Sequence, residues 1–314
     1  MDVAYISHSS SALHEMGEWH PESPDRVRVI SDRLYSSGLI DLLTGYDAPE
    51  VTREQLLRVH SQRYLDYLER VSPSEGYFSI DTDTMMNPHT LRAAKHAAGA
   101  AVKAVDLVMN GEYRRVFCNV RPPGHHATRH SSMGFCFYNN AVVGMYHALE
   151  AHGLKRVALF DFDVHHGNGS EDILAGDERT LMLSTFQPRI FPHHGELPLG
   201  PNILSVPLPG YSNGKAMREA VREQWGPALD AFEPELIFIS AGFDAHRDDD
   251  LGQLGWTTAD YAWITHWLML KSMQHCGGRV VSMLEGGYSL QALSVSVEQH
   301  VRELLEIGLT ELPA

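Results

Sequence analysis

From about residue 115 onward, short apolar runs alternate with helical segments, and this alternation restricts the possible folds more than any other feature. Apolar runs over 115–120, 156–160, 180–185, 203–206, 236–240 and 279–284 read as strands. Helical patterns over about 140–152, 215–232, 258–275 and 290–307 separate most of them. Strands apolar on both sides and joined through helices belong in a parallel sheet covered by helices on both faces. A further strand over 3–7 opens the chain. Ser23 and Pro24 stand as N-cap and first helical residue before the stripe Val27, Ile30 and Leu34, which Gly38 stops. Thr52-Arg53-Glu54-Gln55 matches a capping box. A polar loop over 79–88 leads into an alanine-rich helix that ends near Asn110 and Gly111. No linker or fixed-period repeat interrupts this pattern, so residues 1–314 read as one α/β domain with an open parallel sheet.

Net charge is −15, which excludes direct nucleic-acid binding as the expected role. The three cysteines, Cys118, Cys136 and Cys276, are far apart and form no CxxC pair. Neither a disulfide framework nor a thiolate zinc site is expected, and a reducing cytoplasmic location is. No run approaches the ~18 apolar residues of a membrane span. The first residues lack the basic head and apolar core of a signal peptide, so no membrane association is expected. Oligomeric state is not readable from the sequence.

In open α/β sheets, ligands bind outside the carboxyl ends of the strands. Four apolar runs carry polar clusters there: Arg121-Pro122-Pro123-Gly124-His125-His126, Asp161-Phe162-Asp163-Val164-His165, Gly242-Phe243-Asp244 and Glu285-Gly286-Gly287-Tyr288. An extended chain would put Asp161, Asp163 and His165 on one face. If buried, such groups must be paired or metal-bound. Asp163, His165 and Asp244 make an oxygen–nitrogen set without sulfur, and three ligands leave a position for water, as in catalytic zinc sites. The same donors suit iron(II) or manganese. The plainer alternative is a strand-end pair that merely satisfies itself. His125 and His126, behind a rigid Pro-Pro, suit proton transfer near neutral pH once a turn presents both. The Tyr288 hydroxyl suits donation to an oxyanion. Gly167-Asn168-Gly169 reads as a tight turn closing the strand, and Asp248-Asp249-Asp250 as a solvated loop.

These motifs, in this order, resemble the zinc-dependent histone deacetylase family over nearly the whole chain. Asn168 and Gly134-Phe135-Cys136-Phe137-Tyr138-Asn139 resemble its class II branch and the bacterial-type histone deacetylase-like amidohydrolases. The resemblance implies the arginase–deacetylase fold, with a parallel sheet of about eight strands. It implies hydrolysis of the side-chain amide of acyl-lysine in proteins or peptides by metal-activated water. On that reading Asp163, His165 and Asp244 hold Zn2+ (or Fe2+), and His126 is general base, then acid. His125 pairs with Asp161, Asn168 orients His126, and Tyr288 stabilises the oxyanion. Phe135 and Phe191 wall the acyl-lysine slot beside Gly134, and Asp83 at the rim accepts a substrate backbone N–H. Leu251 stands where polyamine-selective members carry glutamate. A structural K+ (or Na+) falls to Asp161, Asp163, His165, Ser184 and Thr185, and a second to Leu174, Asp177, Thr180 and Leu204. The rival readings are an acetylpolyamine amidohydrolase of the same fold and a non-catalytic acyl-lysine binding protein.

Overall fold

The expected strands form an eight-stranded sheet in which every neighbouring pair is parallel. The computed structural model describes residues 3–312, so both ends of the expected span 1–314 lie outside the described residues. In chain order the elements begin with β1 (Val3–Ser7), α1 (Asp25–Ser36), β2 (Leu43–Asp47), α2 (Arg53–Leu57) and α3 (Gln62–Val71). A small antiparallel ribbon, β3 (Phe78–Ser79) and β4 (Met85–Met86), precedes α4 (Thr90–Met109). Then come β5 (Arg115–Cys118), α5 (Asn140–Glu150), β6 (Val157–Asp161), α6 (Asn168–Leu174), β7 (Thr180–Phe186) and β8 (Ile203–Pro207). The last part holds α7 (Gly214–Ala220), α8 (Gly226–Phe232), β9 (Leu236–Ala241), α9 (Thr258–Cys276), β10 (Val280–Leu284) and α10 (Leu290–Leu304).

Across the sheet the order is β2-β1-β5-β10-β9-β6-β7-β8. The four central strands, β5, β10, β9 and β6, are the four whose ends carry the polar clusters, so the topology sets those clusters side by side. All residues of these strands are buried. Successive side chains enter opposite layers: Val157, Leu159 and Phe238 pack on the α4–α5 side, while Ala158, Phe160 and Ile239 pack on the α9–α10 side. That is the two-faced burial expected of a parallel sheet.

Several details differ from expectation. Strand β2 is not among the runs picked out by hydrophobicity. It is an edge strand with no fully buried residue and a central Gly45, so it carries little apolar signal. The loop expected over 79–88 contains the β3–β4 ribbon. The helix expected over 215–232 is broken by a π turn, Val221–Trp225, which ends on the fully buried Trp225. The Thr52–Gln55 capping box forms as read, with side-chain and backbone bonds in both directions.

Phe160 packs between Trp225 and Trp267, with ring centroids 5.3 and 6.2 Å away. Phe160→Ala should lower unfolding stability by about 3–5 kcal/mol, read from the urea midpoint at unchanged slope.

Candidate active site

Strand β6 ends at Asp161, and Asp163 and His165 lie in the bend that follows rather than in extended chain. The shared face expected for the three is therefore replaced by a turn, held by Asp163 N donating to Asp161 Oδ1 at 3.2 Å and His165 N to Asp163 Oδ1 at 2.9 Å. The Gly-Asn-Gly segment, expected as a turn, opens α6 instead, with Gly167 at the N-cap.

The bend brings Asp163, His165 and Asp244 together, with one potential ligand atom from each within 4.8 Å of the others. His165 Nδ1 lies 3.1 Å from Asp163 Oδ1 and 3.2 Å from Asp244 Oδ2. All three residues are buried. Backbone amides fix the carboxylates: Gly286 N donates to Asp163 Oδ2 at 2.8 Å, and Val164 N to Asp244 Oδ1 at 2.9 Å. Asp244 Oδ2 accepts no hydrogen bond and has only the ion pair with the His165 ring, which it shares with Asp163. A Cβ on Gly286 would overlap both Asp244 Oδ2 and Asp163 Oδ2, so glycine keeps the space between them open. Burial and the Asp163 charge push Asp244 up to about 7. Burial opposes charge on His165, but Asp163 and Asp244 outweigh it and lift the ring to about 10. The protein groups alone hold surplus negative charge, and a divalent cation between them relieves it. The donor set fits zinc.

The turn after β5 presents both histidines, with ring centroids 4.0 Å apart. His125 Nδ1 is 3.0 Å from Asp161 Oδ2, and His126 Nδ1 is 2.7 Å from Asn168 Oδ1. An amide oxygen only accepts, so His126 Nδ1 carries the proton and Nε2 keeps a lone pair. Burial opposes charge on His125, yet Asp163 and Asp161 outweigh it and raise the ring to about 10. Burial, then the charges of His125 and His165, hold His126 well below the ordinary histidine range. Two neighbouring imidazoles are thus driven apart, one charged and one neutral.

Glu285 fixes this turn, a role not evident in its motif. Its Oε2 accepts from Gly124 N and His125 N at 2.7 and 3.1 Å, and its Oε1 from Ser240 Oγ at 3.0 Å. Buried Arg26 donates to the carbonyls of Glu285 and Gly287 and stacks 5.0 Å over the Tyr288 ring. Burial and the nearby Asp244 and Asp163 charges, against Arg26, keep the Tyr288 hydroxyl well above its usual range and therefore protonated.

Asp249 stands in the run that reads as a solvated loop, but it is 4% exposed. Its Oδ2 accepts from Tyr288 N at 2.6 Å and Ser289 N at 2.9 Å, and its Oδ1 from Leu251 N at 3.1 Å. Three backbone donors explain the burial of its charge. Nothing in the acidic run Asp248-Asp249-Asp250 marks the middle residue as different.

Above the metal set a pocket of about 210 Å³ is lined by Asp83, His126, Gly134, Phe135, His165, Ile190, Phe191, Leu251 and Tyr288. Every expected substrate-contacting residue is among them, and Ile190 is added. Phe191 stands edge-on to His126, with centroids 4.9 Å apart, and Phe135 edge-on to Tyr288 at 5.8 Å. Gly134 has φ +54°, and a Cβ there would run into the His126 and Phe191 rings. His20, from the loop before α1, donates from Nε2 to the Asp83 carbonyl at 3.0 Å while its Nδ1 accepts from Glu22 N. Thr84 Oγ1 donates to Asp83 Oδ1 at 3.0 Å.

Ser184 lies opposite Asp161 in the β6–β7 register, and the Ser184 and Thr185 hydroxyls are buried without partners. The second expected cation set is different. Asn202 Nδ2 donates to the carbonyls of Leu174, Asp177 and Thr180 at 2.8, 3.2 and 3.2 Å, and its Oδ1 accepts from Gly176 N at 2.8 Å. Those carbonyls therefore already accept from an amide, and Leu204 is engaged in the β7–β8 ladder. His166, beside the metal set in sequence, pairs with Glu171 at 2.6 Å and stays outside the pocket.

A family model described as histone deacetylase domain matches residues 20–304. Type-2 histone deacetylase 2 of Dictyostelium discoideum is 32% identical over 96% of this chain, which spans 20% of that protein. The histone deacetylase-like amidohydrolase of Pseudomonas aeruginosa is 36% identical over 86% of this chain and 73% of its own length. The crystal structure of the HDA15 HD domain superposes with a TM-score of 0.91 at 32% identity, covering 99% of this chain and 92% of that one. Sequence and three-dimensional form therefore agree that the chain belongs to the histone deacetylase family of hydrolases.

Proposed function

We propose that this chain is a zinc-dependent deacetylase that removes acetyl or other acyl groups from the side-chain amide of lysine in proteins or peptides. What carries the reading is the convergence, at the floor of one narrow aromatic-walled pocket, of a three-ligand metal set, a neutral histidine and a protonated tyrosine. Zinc held by Asp163, His165 and Asp244 would polarise the amide carbonyl and acidify water. His126 Nε2 then accepts the proton of the attacking water and later returns it to the leaving amine. Charged His125, neutralised by Asp161, discourages His126 from starting protonated, and Asn168 holds its ring. Tyr288 donates its hydroxyl to the tetrahedral oxyanion. Phe135 and Phe191 flank the lysine methylenes, Gly134 admits them, and Asp83 accepts a backbone N–H of the substrate at the rim. Leu251 offers an apolar wall, which suits a peptide-borne acyl-lysine better than a cationic polyamine. Asp161, Asp163, His165, Ser184 and Thr185 would hold a structural potassium ion. A cytoplasmic location fits the three free, buried cysteines, and no described helix is long and apolar enough to cross a membrane.

An acetyl-lysine peptide and N-acetylputrescine, each assayed with and without chelator, test the proposal. The peptide should react faster, lose its turnover to chelator and regain it with zinc. A higher polyamine rate would reassign the substrate, and chelator-resistant hydrolysis would remove the metal from the mechanism. Tyr288→Phe should lower kcat by about 10²–10³-fold without changing the unfolding midpoint; full activity would end the role given to its hydroxyl. Asn168→Asp puts a carboxylate on His126 Nδ1 and favours the charged ring, raising its pKa. Activity is lost as pH falls and His126 takes up a proton, so the acidic limb of the kcat profile should move to higher pH. An unmoved limb would show that His126 is not the titrating base.

A further inference from the structure

At the end of the sheet away from the pocket, a second group of potential ligands sits between α4 and α5. Asp106 lies on α4, His147 in the last turn of α5, and His152 in the turn leading to β6. Both imidazoles aim Nε2 at one oxygen: His147 Nε2 and His152 Nε2 are each 2.8 Å from Asp106 Oδ1. The three ligand atoms lie within 4.8 Å of one another, and the two rings meet edge to face with centroids 5.4 Å apart. We propose that Asp106, His147 and His152 form a second metal site, which takes a divalent transition ion such as Zn2+.

The alternative is a hydrogen-bond cluster; what favours a metal is that both Nε2 atoms converge on one carboxylate oxygen, so all three donors face a common point. His147 is buried, and its Nδ1 has no hydrogen-bond partner. The 2.8 Å separations are hydrogen-bond distances, and a small opening of the cluster would seat an ion about 2.0–2.1 Å from each donor. Two histidines and one carboxylate are a proven zinc donor set that leaves positions for water, and the Asp106 side chain, 40% exposed, gives water that access. Burial works against ionising Asp106, but its bonds to His147 and His152 outweigh this and hold it below the usual carboxylate range, in its ligating form. The net charge of −15 favours approach of a cation. Because nothing backs His147 Nδ1, affinity should fall short of the central site; a missing outer partner ordinarily costs about 10–100-fold. The site ties α5 to α4 and touches none of the pocket residues, so its occupancy should affect stability rather than turnover.

The test counts zinc. Protein already holding one zinc per chain is equilibrated with micromolar free Zn2+, and bound metal is measured by elemental analysis and calorimetric titration. Wild type should bind a second equivalent and unfold at higher temperature. His152→Ala and Asp106→Ala, the two less buried members, should each keep the first equivalent and normal hydrolysis while losing the second equivalent and its thermal shift. A wild-type endpoint of one, or a second equivalent retained in either variant, would overturn the proposal.

Discussion

Crowding of buried negative charge at the carboxyl ends of the central strands is the constraint on which the rest of this molecule depends. Asp161, Asp163 and Asp244 all sit within the protein, and Glu285 lies beside them. Like charges this close cannot all stay ionised in a poorly solvated interior without compensation. The fold answers with backbone amides, with a charged His125, and with a gap framed by Gly286 that a divalent cation suits. Chemistry and stability are therefore not separate here: the groups that would bind metal are those the fold could least tolerate without it.

The surrounding network transmits order rather than charge alone. Glu22 is buried between Arg26 and Arg121 and is bonded to both. Arg121 begins the turn that carries His125 and His126, and Arg26 holds the carbonyls around Tyr288. Through Glu22 the loop before α1 thus braces both walls of the pocket, and His20, two residues earlier, supports the rim at Asp83. Such a closed set of partners is how buried arginines and glutamates avoid the penalty of unpaired charge.

Much of this was legible in the sequence, for identifiable reasons. Fully buried parallel strands leave continuous apolar runs, so seven of the eight were visible, and the end-of-strand rule placed the clusters. The edge strand β2 escaped because its side chains are not fully buried. What sequence could not supply was the behaviour of individual side chains in three dimensions. The amide of Asn202 lies among the carbonyls of Leu174, Asp177 and Thr180, a placement that nothing in its local sequence announces. Asp163 and His165 come together in a bend, not along one face of an extended strand.

Asp249 binds two parts of the pocket into one unit. A single carboxylate holds the backbone of Tyr288 and that of Leu251, so the proposed oxyanion donor and a residue of the pocket wall share an anchor. A loop exchange meant to widen the range of accepted substrates would carry the anchor with it and loosen the donor. Under the proposed function, selectivity and rate are then poorly separable, and changes in one should be accompanied by changes in the other. Under that reading a freer route to altered preference lies at Ile190, which lines the pocket but lies far from Asp249 in the chain.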